Sequence, residues 1–271
     1  MIRISIIIPC YNAAEFIEET IQSILSQNYE NLECIVIDGE SNDGTLNILE
    51  KYKDKIIIKS GKDRGQSDAI NKGLRLATGD IVAYINADDI YEKGCFQKVA
   101  NFFERNQNIK WVHGKCKIID ENNLEIRRLI TWFGIFWQRR YSYNKLLAMD
   151  FIPQPAVFWR GELIDEIGSF DANEHLVMDY EYWLRSGARY NPGFIDEYLA
   201  SWRVHPHSKS TMNFSKQAME GLNVAKKYAG SKGFIIPIQY LVSLSIILVY
   251  SVLGFTSNVK HLAGKLLQVS Q

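Results

Sequence analysis

Two adjacent aspartates follow an apolar run in the first third of the chain. The run at 81–85 has the length and composition of a buried strand, and it continues into the motif NADD, which ends with Asp88 and Asp89. No basic residue stands directly beside these acids to neutralise them. Because Mg²⁺ and Mn²⁺ prefer oxygen ligands, adjacent carboxylates at a strand end indicate a divalent cation that holds a phosphate group. The alternative is a turn and an N-cap for a helix that begins near Glu92.

The first part of the chain, which must position these acids, alternates between two hydrophobic patterns. Apolar runs of strand length recur at 4–8, 34–37, 55–58 and 81–85. The segments between them carry apolar residues at helical spacing, and this alternation predicts a mainly parallel sheet flanked by helices. Asn12 and Glu15 have the spacing of a capping box for the first helix, and Gly79 stands where a glycine C-cap would end the third.

The pattern changes after about residue 110. Residues 111–119 and 124–130 predict a strand pair, and 155–159 and 195–204 predict two further strands. This half is less regular than the first, so we expect a smaller antiparallel part that caps the sheet. The predicted fold class is α/β, with a Rossmann-like, mainly parallel central sheet.

The loops at the carboxyl ends of the predicted strands are all polar. In open α/β sheets ligands bind at this edge, because loops and helix N-termini meet there. The loop after the first strand, PCYNAAE, has no glycine, whereas a dinucleotide-binding fold requires the pattern GxGxxG at this turn. The sequence has no P-loop signature either. We therefore expect phosphate to be held through a metal that carboxylates bind.

The overall composition excludes several classes of protein. The 271 residues include 31 Lys and Arg and 31 Asp and Glu, so the formal net charge of +0 gives no basic field for nucleic acid. The four cysteines lie far apart without a CxxC pair, which favours free thiols in a reducing compartment over a zinc site. The apolar run at 4–8 is too short for a signal peptide, so we expect a cytoplasmic protein.

Four segments of the sequence together resemble the family 2 glycosyltransferases, in particular those of bacterial polysaccharide and O-antigen synthesis. They are SIIIPCYNAAEFIEETIQSILSQ, ECIVIDGESNDGT, DRGQSDAINKGLRLATGDIVAYINADD and MDYEYWLR. The similarity extends over about residues 3–205, and several motifs in order make it more specific than any one of them. It implies a GT-A type fold, a nucleoside diphosphate sugar as donor, Mg²⁺ or Mn²⁺ as cofactor, and inversion at the anomeric carbon.

The resemblance also implies roles for individual residues. Asp38 matches the acid that recognises the nucleobase, and Asp63 lies in the segment that continues this pocket. Asp88 would lie near the ribose or the sugar, and Asp89 would ligate the metal. The residues that match the first nucleotide-binding loop are Pro9, Tyr11, Asn12 and Glu15.

The sequence departs from the family pattern at three positions. Gly39 stands where the family often has a second acid. This departure affects which nucleobase is selected more than it affects catalysis. Asn86 stands where the family frequently has Asp, and Met178 replaces the Glu that usually precedes the catalytic base.

The resemblance identifies Asp179 as the catalytic base. The acceptor hydroxyl must lose its proton as it attacks, and a partly buried carboxylate at the start of a helix can accept that proton. Glu181 is the alternative base, and an ordinary first-turn helix acid is the alternative role for Asp179. In SWRVHPHSKS, His205 is expected to complete the metal shell, because similar family members place a histidine after an Arg here; a solvated loop is the alternative.

Two further stretches have unusual compositions. Residues 127–145 interleave Arg and Lys with Trp, Phe and Tyr, which fits a flap over the sugar acceptor, an interfacial element on anionic lipid, or aromatic packing against the sheet. Residues 233–255 carry no charge and are flanked by lysines, which favours membrane attachment. Spanning the membrane, lying in its interface and docking to a partner all remain open.

The sequence therefore predicts a GT-A domain at 1–210 and a helical, membrane-associating extension at 211–271. Within the domain, 1–108 would bind the nucleotide sugar and 109–210 would supply the acceptor site and the base. The predicted function is transfer of a sugar, in particular a UDP-linked one, to a hydroxyl of a glycan or lipid-linked glycan at the cytoplasmic face of the membrane. The alternative is a non-catalytic nucleotide-sugar-binding subunit that recruits a partner enzyme, and the oligomeric state is open.

Overall fold

One eight-stranded sheet runs through the computed structural model, which describes residues 1–206, 208–249 and 251. The strands stand in the order β3-β2-β1-β4-β7-β6-β8-β5. Their bounds are β1 Ile4–Cys10, β2 Leu32–Asp38, β3 Ile57–Ser60, β4 Ile81–Tyr84, β5 Ile90–Tyr91, β6 Trp111–Ile119, β7 Val157–Arg160 and β8 Gly193–Arg203.

The first four strands form the predicted parallel half of the sheet. β1 pairs in parallel with β2 on one side and β4 on the other, and β3 extends the sheet beyond β2. Every residue of β1 is buried, as expected for a β-branched run covered by helices on both faces. Because the strands are parallel, the polar loops that follow β1, β2, β3 and β4 meet at one edge.

The second half of the sheet is mixed. β7 is antiparallel to both β4 and β6, whereas β8 lies parallel to β6 and β5 is antiparallel to β8. The predicted strand at 124–130 is wrong: this segment forms one bridge, between Glu125 and Ile119, and then enters a helix. The Ile126 N–H also donates to the carbonyl of Ile118 at 2.8 Å, but α5 begins at Arg128, so the pairing with β6 ends after this short contact.

Helices cover both faces of the sheet. One core layer packs under the first and fourth helices around Ile6 and Phe96, and the other packs under the third and eighth helices around Tyr84 and Trp183. The helices are α1 Ile17–Leu25, α2 Thr45–Glu50, α3 Gln66–Leu74, α4 Cys95–Arg105, α5 Arg128–Gln138, α6 Tyr143–Ala148, α7 Glu162–Ile167, α8 Met178–Arg189 and α9 Lys209–Ala229, with 3-10 turns at Gln154–Ala156 and Gly230–Ile235.

The predicted helix boundaries need correction. α1 begins at Ile17 without a side-chain cap, so Asn12 and Glu15 do not form a capping box. α3 ends at Leu74, well before Gly79, whose hydrogen allows close packing: a Cβ there would lie 2.6 Å from the backbone nitrogen of Ser5. α4 begins at Cys95 after a short strand, so the two acids of NADD do not cap a helix.

The C-terminal part forms a helical hairpin. The chain turns at Gly230, where φ is +50°, and residues 236–249 continue as a helix. Its Ser243 hydroxyl donates to the carbonyl of Ala218 in α9, so the two helices lie side by side. By length and composition Ser215–Val249 could cross a membrane, but the turn divides this segment into two shorter helices. The end of the predicted apolar segment, beyond residue 251, lies outside the described residues.

Candidate active site

The ends of β1 and β2 bring the first two predicted binding loops together. Cys10 and Asp38 are register partners, so Pro9 and Asp38 lie on neighbouring strands at the polar edge. Asn12 adopts a left-handed conformation with φ of +48°, and its Oδ1 accepts a hydrogen bond of 2.9 Å from the backbone N–H of Asn42. The Asn12 N–H in turn donates to the Ser41 hydroxyl at 2.8 Å. Asn12 thus joins the first loop to the second.

The other two residues predicted in the first loop are exposed. Tyr11 projects into solvent with its ring edge near Gly39, within 3.5 Å of where a Cβ on that glycine would stand. Glu15 is exposed at the turn before α1 and makes no hydrogen bond with the described residues. Both side chains border the polar edge, where a bound nucleotide could contact them.

Asp38 is a buried carboxylate, and only one of its two oxygens accepts hydrogen bonds from the described residues. Its Oδ2 accepts hydrogen bonds from the Ser60 hydroxyl at 2.7 Å and from the Ser41 N–H at 3.2 Å. Its Oδ1 is equally buried and has no hydrogen-bond partner among the described residues. Leaving a buried acceptor unsatisfied costs about 1–3 kcal/mol. The position therefore fits a carboxylate that is completed by an N–H group of a ligand.

Gly39 explains how a second acid reaches this pocket. A Cβ at position 39 would lie only 2.6 Å from Oδ2 of Asp63, so a larger residue would displace that carboxylate. The other oxygen of Asp63 accepts a hydrogen bond of 2.8 Å from the N–H of Gly65. Where the family often has an acid directly after Asp38, this chain has a glycine and brings Asp63 in from the loop after β3.

The two acids of NADD have different environments. Asp89 is fully buried, and its oxygens accept hydrogen bonds from the Arg203 N–H at 2.8 Å and the Asn86 side-chain amide at 3.0 Å. Asp88 is partly exposed, and its Oδ2 lies 3.0 Å from Nε2 of His205. The expectation that Asp89 ligates a metal does not match this geometry, because its carboxylate faces protein donors. Asp88 is the better candidate.

Arg203 fixes the loop that carries these acids, and our sequence analysis did not identify it. Its guanidinium is fully buried, donates from Nε to the carbonyl of Asp88 at 2.8 Å, pairs with Glu19 and lies 4.8 Å from the ring centre of Phe16. Its only signal in the sequence is its place two residues before His205. Burial and the nearby charge of Asp88 raise the pKa of Asp89 well above its usual range, against the opposing effect of the Arg203 N–H.

The Asp88 and His205 pair suits a divalent cation. One carboxylate oxygen and one imidazole nitrogen are ligands that Mn²⁺ accepts, and Mg²⁺ also uses few protein ligands together with substrate phosphates. In the part of the chain that the structure describes, no group of three or more His, Cys, Asp or Glu residues could hold a metal. A cation here would therefore complete its shell with oxygens from the nucleoside diphosphate and water.

The carboxylates of α8 also differ in their surroundings. Asp179 lies in the first turn, is partly buried, and accepts a hydrogen bond of 2.8 Å from the Tyr180 N–H. Glu181 is buried, forms a 2.8 Å ion pair with Arg185 and accepts a hydrogen bond from the hydroxyl of Tyr228. These contacts commit Glu181 to joining α8 and α9. Of the two acids, Asp179 remains the candidate for the base.

A further acid, Asp150, lies close enough to Asp179 for the charge of Asp179 to act on the pKa of Asp150. Local desolvation of its carboxyl group and the negative charge of Asp179 raise the pKa of Asp150, although the residue as a whole is exposed. The Tyr180 hydroxyl donates to the carbonyl of Leu146 at 2.8 Å, which holds the first turn of α8 against the end of α6, shortly before Asp150. No pattern in the sequence marks Asp150, because its approach to Asp179 depends on two segments that are distant along the chain.

The fold and these loops define a nucleotide-sugar-binding domain of the GT-A type. Residues 5–166 match the family described as Glycosyl transferase family 2, and the chain belongs to this family. It is 29% identical to a PGL/p-HBAD biosynthesis glycosyltransferase of Mycobacterium bovis (strain BCG / Pasteur 1173P2) over 200 residues, which are 72% of this chain and 73% of the relative. An uncharacterized glycosyltransferase of Haemophilus influenzae is 29% identical over 270 residues, covering 92% of this chain and 80% of that protein.

Solved structures share the fold at lower sequence identity. A mannosyltransferase from Pyrobaculum calidifontis, in complex with GDP-Man and Mn²⁺, aligns with a TM-score of 0.64 and 18% identity over 96% of this chain and 81% of that one. S. aureus TarS 1-349 in complex with UDP-GlcNAc aligns with a TM-score of 0.62 and 19% identity over 86% and 70%. The chain spans 39% of another TarS structure. This protein is therefore a family 2 glycosyltransferase with a GT-A fold that depends on a nucleotide sugar.

Proposed function

We propose that this protein is an inverting, metal-dependent glycosyltransferase that moves a sugar from a UDP-linked donor to a hydroxyl of a glycan or lipid-linked glycan. The observation that carries the proposal is the polar edge of the sheet, where Asp38, Asp63 and the Asp88–His205 pair stand on successive loops. These residues would bind the nucleobase at one place and the diphosphate at another. The reaction also needs a general base, and a carboxylate on α8 would supply it.

The base pocket favours a nucleobase that presents an N–H donor. Oδ1 of Asp38 is the buried acceptor that such a donor would satisfy, and Oδ2 of Asp63 lies beside Gly39 as a second acceptor. Uracil offers an N–H group to such an acceptor, and guanine offers two neighbouring ones. A TarS structure holds UDP-GlcNAc and the Pyrobaculum mannosyltransferase holds GDP-Man, so both bases occur in proteins of this fold.

The diphosphate would be held at Asp88 and His205. A divalent cation bound by this pair would stabilise the negative charge that develops on the leaving diphosphate. Asp89 would orient the loop through its bond to Arg203 rather than touch the cation. Arg203 itself is buried beneath the loop and holds the Asp88 carbonyl, so it would position the ligand residue rather than the phosphate.

Asp179 would act as the base that removes the proton of the acceptor hydroxyl. In an inverting transfer the hydroxyl attacks the anomeric carbon on the face opposite the leaving phosphate, and its proton must go to a group on that side. Asp179 is partly open to solvent at the start of α8, whereas Glu181 is occupied by Arg185 and Tyr228. This environment supports the assignment made from the sequence.

Membrane association through the C-terminal hairpin is part of the proposal. The helix at 236–249 has its polar residues inside and its apolar residues outside. Gln239 and Ser243 are buried against α9, whereas three leucines are exposed: Leu241, Leu244 and Leu248. Such an outward apolar face is stable in lipid and unfavourable in water. We expect the enzyme to work at the cytoplasmic face of a membrane on an acceptor held there.

The decisive test combines donor binding with transfer. Thermal shifts with UDP, GDP, UDP-GlcNAc and GDP-Man, each with and without Mn²⁺, should show stabilisation by one nucleotide series that depends on the metal. Donor hydrolysis or sugar transfer with the same nucleotide sugar should then follow. A protein that binds a donor but neither hydrolyses nor transfers it would favour the non-catalytic subunit instead. Membrane attachment is tested separately by replacing Leu244 and Leu248 with Asp, which should move the protein into the soluble fraction.

A further inference from the structure

We propose that α5 is a second lipid-contacting element, whose outward apolar face docks on an anionic bilayer surface. The large apolar residues of this face are exposed, by 83% for Leu129, 67% for Trp132, 48% for Phe133 and 38% for Phe136. Their positions i, i+3, i+4 and i+7 place them on one side of the helix. A surface helix normally turns such a stripe toward the core, so this orientation indicates an apolar surrounding on the outside.

The orientation of α5 is fixed by its inner face. Thr131, Ile135 and Gln138 are buried, and the Gln138 amide donates a hydrogen bond of 3.2 Å to the carbonyl of Phe151. Rotating the helix to bury the tryptophan would break this contact and bring Thr131 and Gln138 into solvent. The aromatic stripe therefore faces outward as a property of the folded domain.

Basic residues lie at the C-terminal end of the aromatic stripe, which points to anionic lipid as the occupant. The guanidinium of Arg140 lies 4.0 Å from the ring centre of Phe136, and Lys145 lies 5.8 Å from that of Trp137. Neither forms an ion pair with the described residues, although Arg128 and Arg139 are paired with acids. Aromatic side chains that enter the interface, with cations at headgroup level, are typical of helices that bind anionic membranes.

α5 is connected through α6 to the C-terminal hairpin, which is proposed above to reach the membrane. α6 follows α5 directly, and its Tyr143 hydroxyl donates to the carbonyl of Tyr228 at 3.4 Å. The ammonium of Lys232 lies 4.6 Å from the ring centre of Tyr143, and exposed Phe234 follows in the same turn. One bilayer surface can therefore contact α5 and the hairpin together, with the lysine at its headgroups.

This inference rests on the proposed function and adds where the membrane would lie relative to the active site. Gln138 donates to the carbonyl of Phe151, and the hydroxyl of Tyr180, the residue after Asp179, donates to the carbonyl of Leu146 a few residues earlier. Lipid against α5 would thus lie on the side of the domain where the acceptor hydroxyl meets the base. The acceptor class that this arrangement fits is a glycan on a lipid anchor, held in the same membrane.

The six tryptophans make a direct test possible with the full-length protein. Trp111, Trp159 and Trp183 are buried, Trp137 and Trp202 are half-buried, and Trp132 is the exposed one. Vesicles of phosphatidylcholine with phosphatidylglycerol, carrying brominated acyl chains, should quench a large share of the emission. Trp132→Phe should keep vesicle binding and lose most of the quenching, because it removes the reporter but retains an apolar side chain.

Two comparisons test whether the lipid must be anionic and whether the face of α5 is the surface that binds it. Quenching should fall by several fold in pure phosphatidylcholine, and Phe133→Ser with Phe136→Ser should reduce it, whereas Leu124→Ser, an exposed apolar residue outside α5, should not. Vesicle binding without quenching of Trp132 would overturn the proposal, as would equal quenching in both lipids. A dimer in solution that Trp132→Ser dissociates would assign the face to a second copy instead.

UDP or GDP affinity measured on the same samples separates this inference from the proposed function. If nucleotide binding persists while Trp132 is not quenched, the docking of α5 is wrong and the enzyme assignment stands. If Trp132 is quenched but no nucleotide binds, the lipid surface stands and the donor assignment fails.

Discussion

Asp88 and Asp89 are adjacent carboxylates, and the structure predicts opposite consequences when each is changed to Asn. Asp88→Asn should remove metal-dependent nucleotide binding and leave the fold intact, because Asp88 is partly exposed and its side chain contacts His205 at the protein surface. Asp89→Asn should mainly destabilise the protein, because Asp89 is buried and accepts bonds from Arg203 and Asn86. Each variant is the matched control for the other.

The size of the stability effect follows from the two hydrogen bonds. An Asn side chain has one acceptor oxygen, so one of the two donors at position 89 would face an NH₂ group. An unsatisfied buried donor costs about 1–3 kcal/mol, which corresponds to a fall in Tm of roughly 2–12 °C for a chain of about this size. A substitution at the exposed edge, as at Asp88, should change stability by less than about 0.5 kcal/mol.

Calorimetric titration of UDP or GDP, with and without Mn²⁺, measures the other half of the prediction. Even residues that only orient a metal ligand weaken metal binding by about 10–100-fold when they are replaced, so loss of Asp88 should cost at least that much in Mn²⁺-dependent affinity. Urea unfolding of both variants gives the stability. If Asp89→Asn is as stable as the parent and loses the metal effect, while Asp88→Asn keeps it, the assignment is reversed and the reasoning from burial is wrong.

Four further substitutions test other parts of the site and fold. Asp179→Asn should lower transfer by about 10²–10⁴-fold with donor affinity retained, whereas Glu181→Gln should lower the urea midpoint and spare the chemical step; wild-type turnover in the first variant would refute the base. Gly39→Ala should displace Asp63 by steric contact and weaken nucleotide binding measured by calorimetry, and unchanged affinity would remove Asp63 from the pocket. Burial raises the pKa of Glu33, but hydrogen bonds from neighbouring hydroxyl and backbone groups outweigh it and hold the pKa below its usual value of 4.5. Its ionised form therefore stabilises the fold above about pH 4.5, and this contribution is lost as pH falls through the lower folded pKa; Glu33→Gln should flatten that part of the stability profile, and an unchanged profile would contradict the shift.

The parallel half of the sheet was determined by the local sequence. Strands such as β1 are β-branched runs of the right length, and the helical spacing between them leaves few alternatives to parallel crossovers. The polar loops at their carboxyl ends follow from that topology, so the general location of the site could be predicted without coordinates. The family resemblance then supplied Asp38 and Asp179 as candidates from their motifs.

The roles within the site depended on tertiary contacts between distant segments. Asp88 and Asp89 are neighbours with the same chemistry, and only the arrival of β8, with Arg203 and then His205, buries one and leaves the other at the surface. No periodicity within residues 81–91 contains that information, because burial of a carboxylate is decided by what packs on it.

The same holds for the outer surface of the protein. The sequence marked 127–145 as basic and aromatic but left open whether its rings pack inward or face outward. The amide of Gln138 on Phe151 and the buried Ile135 fix one side of α5 against the domain, which turns Trp132 and Phe133 to the outside. A helical pattern gives the faces of a helix, whereas the elements packed beside it decide which face is covered.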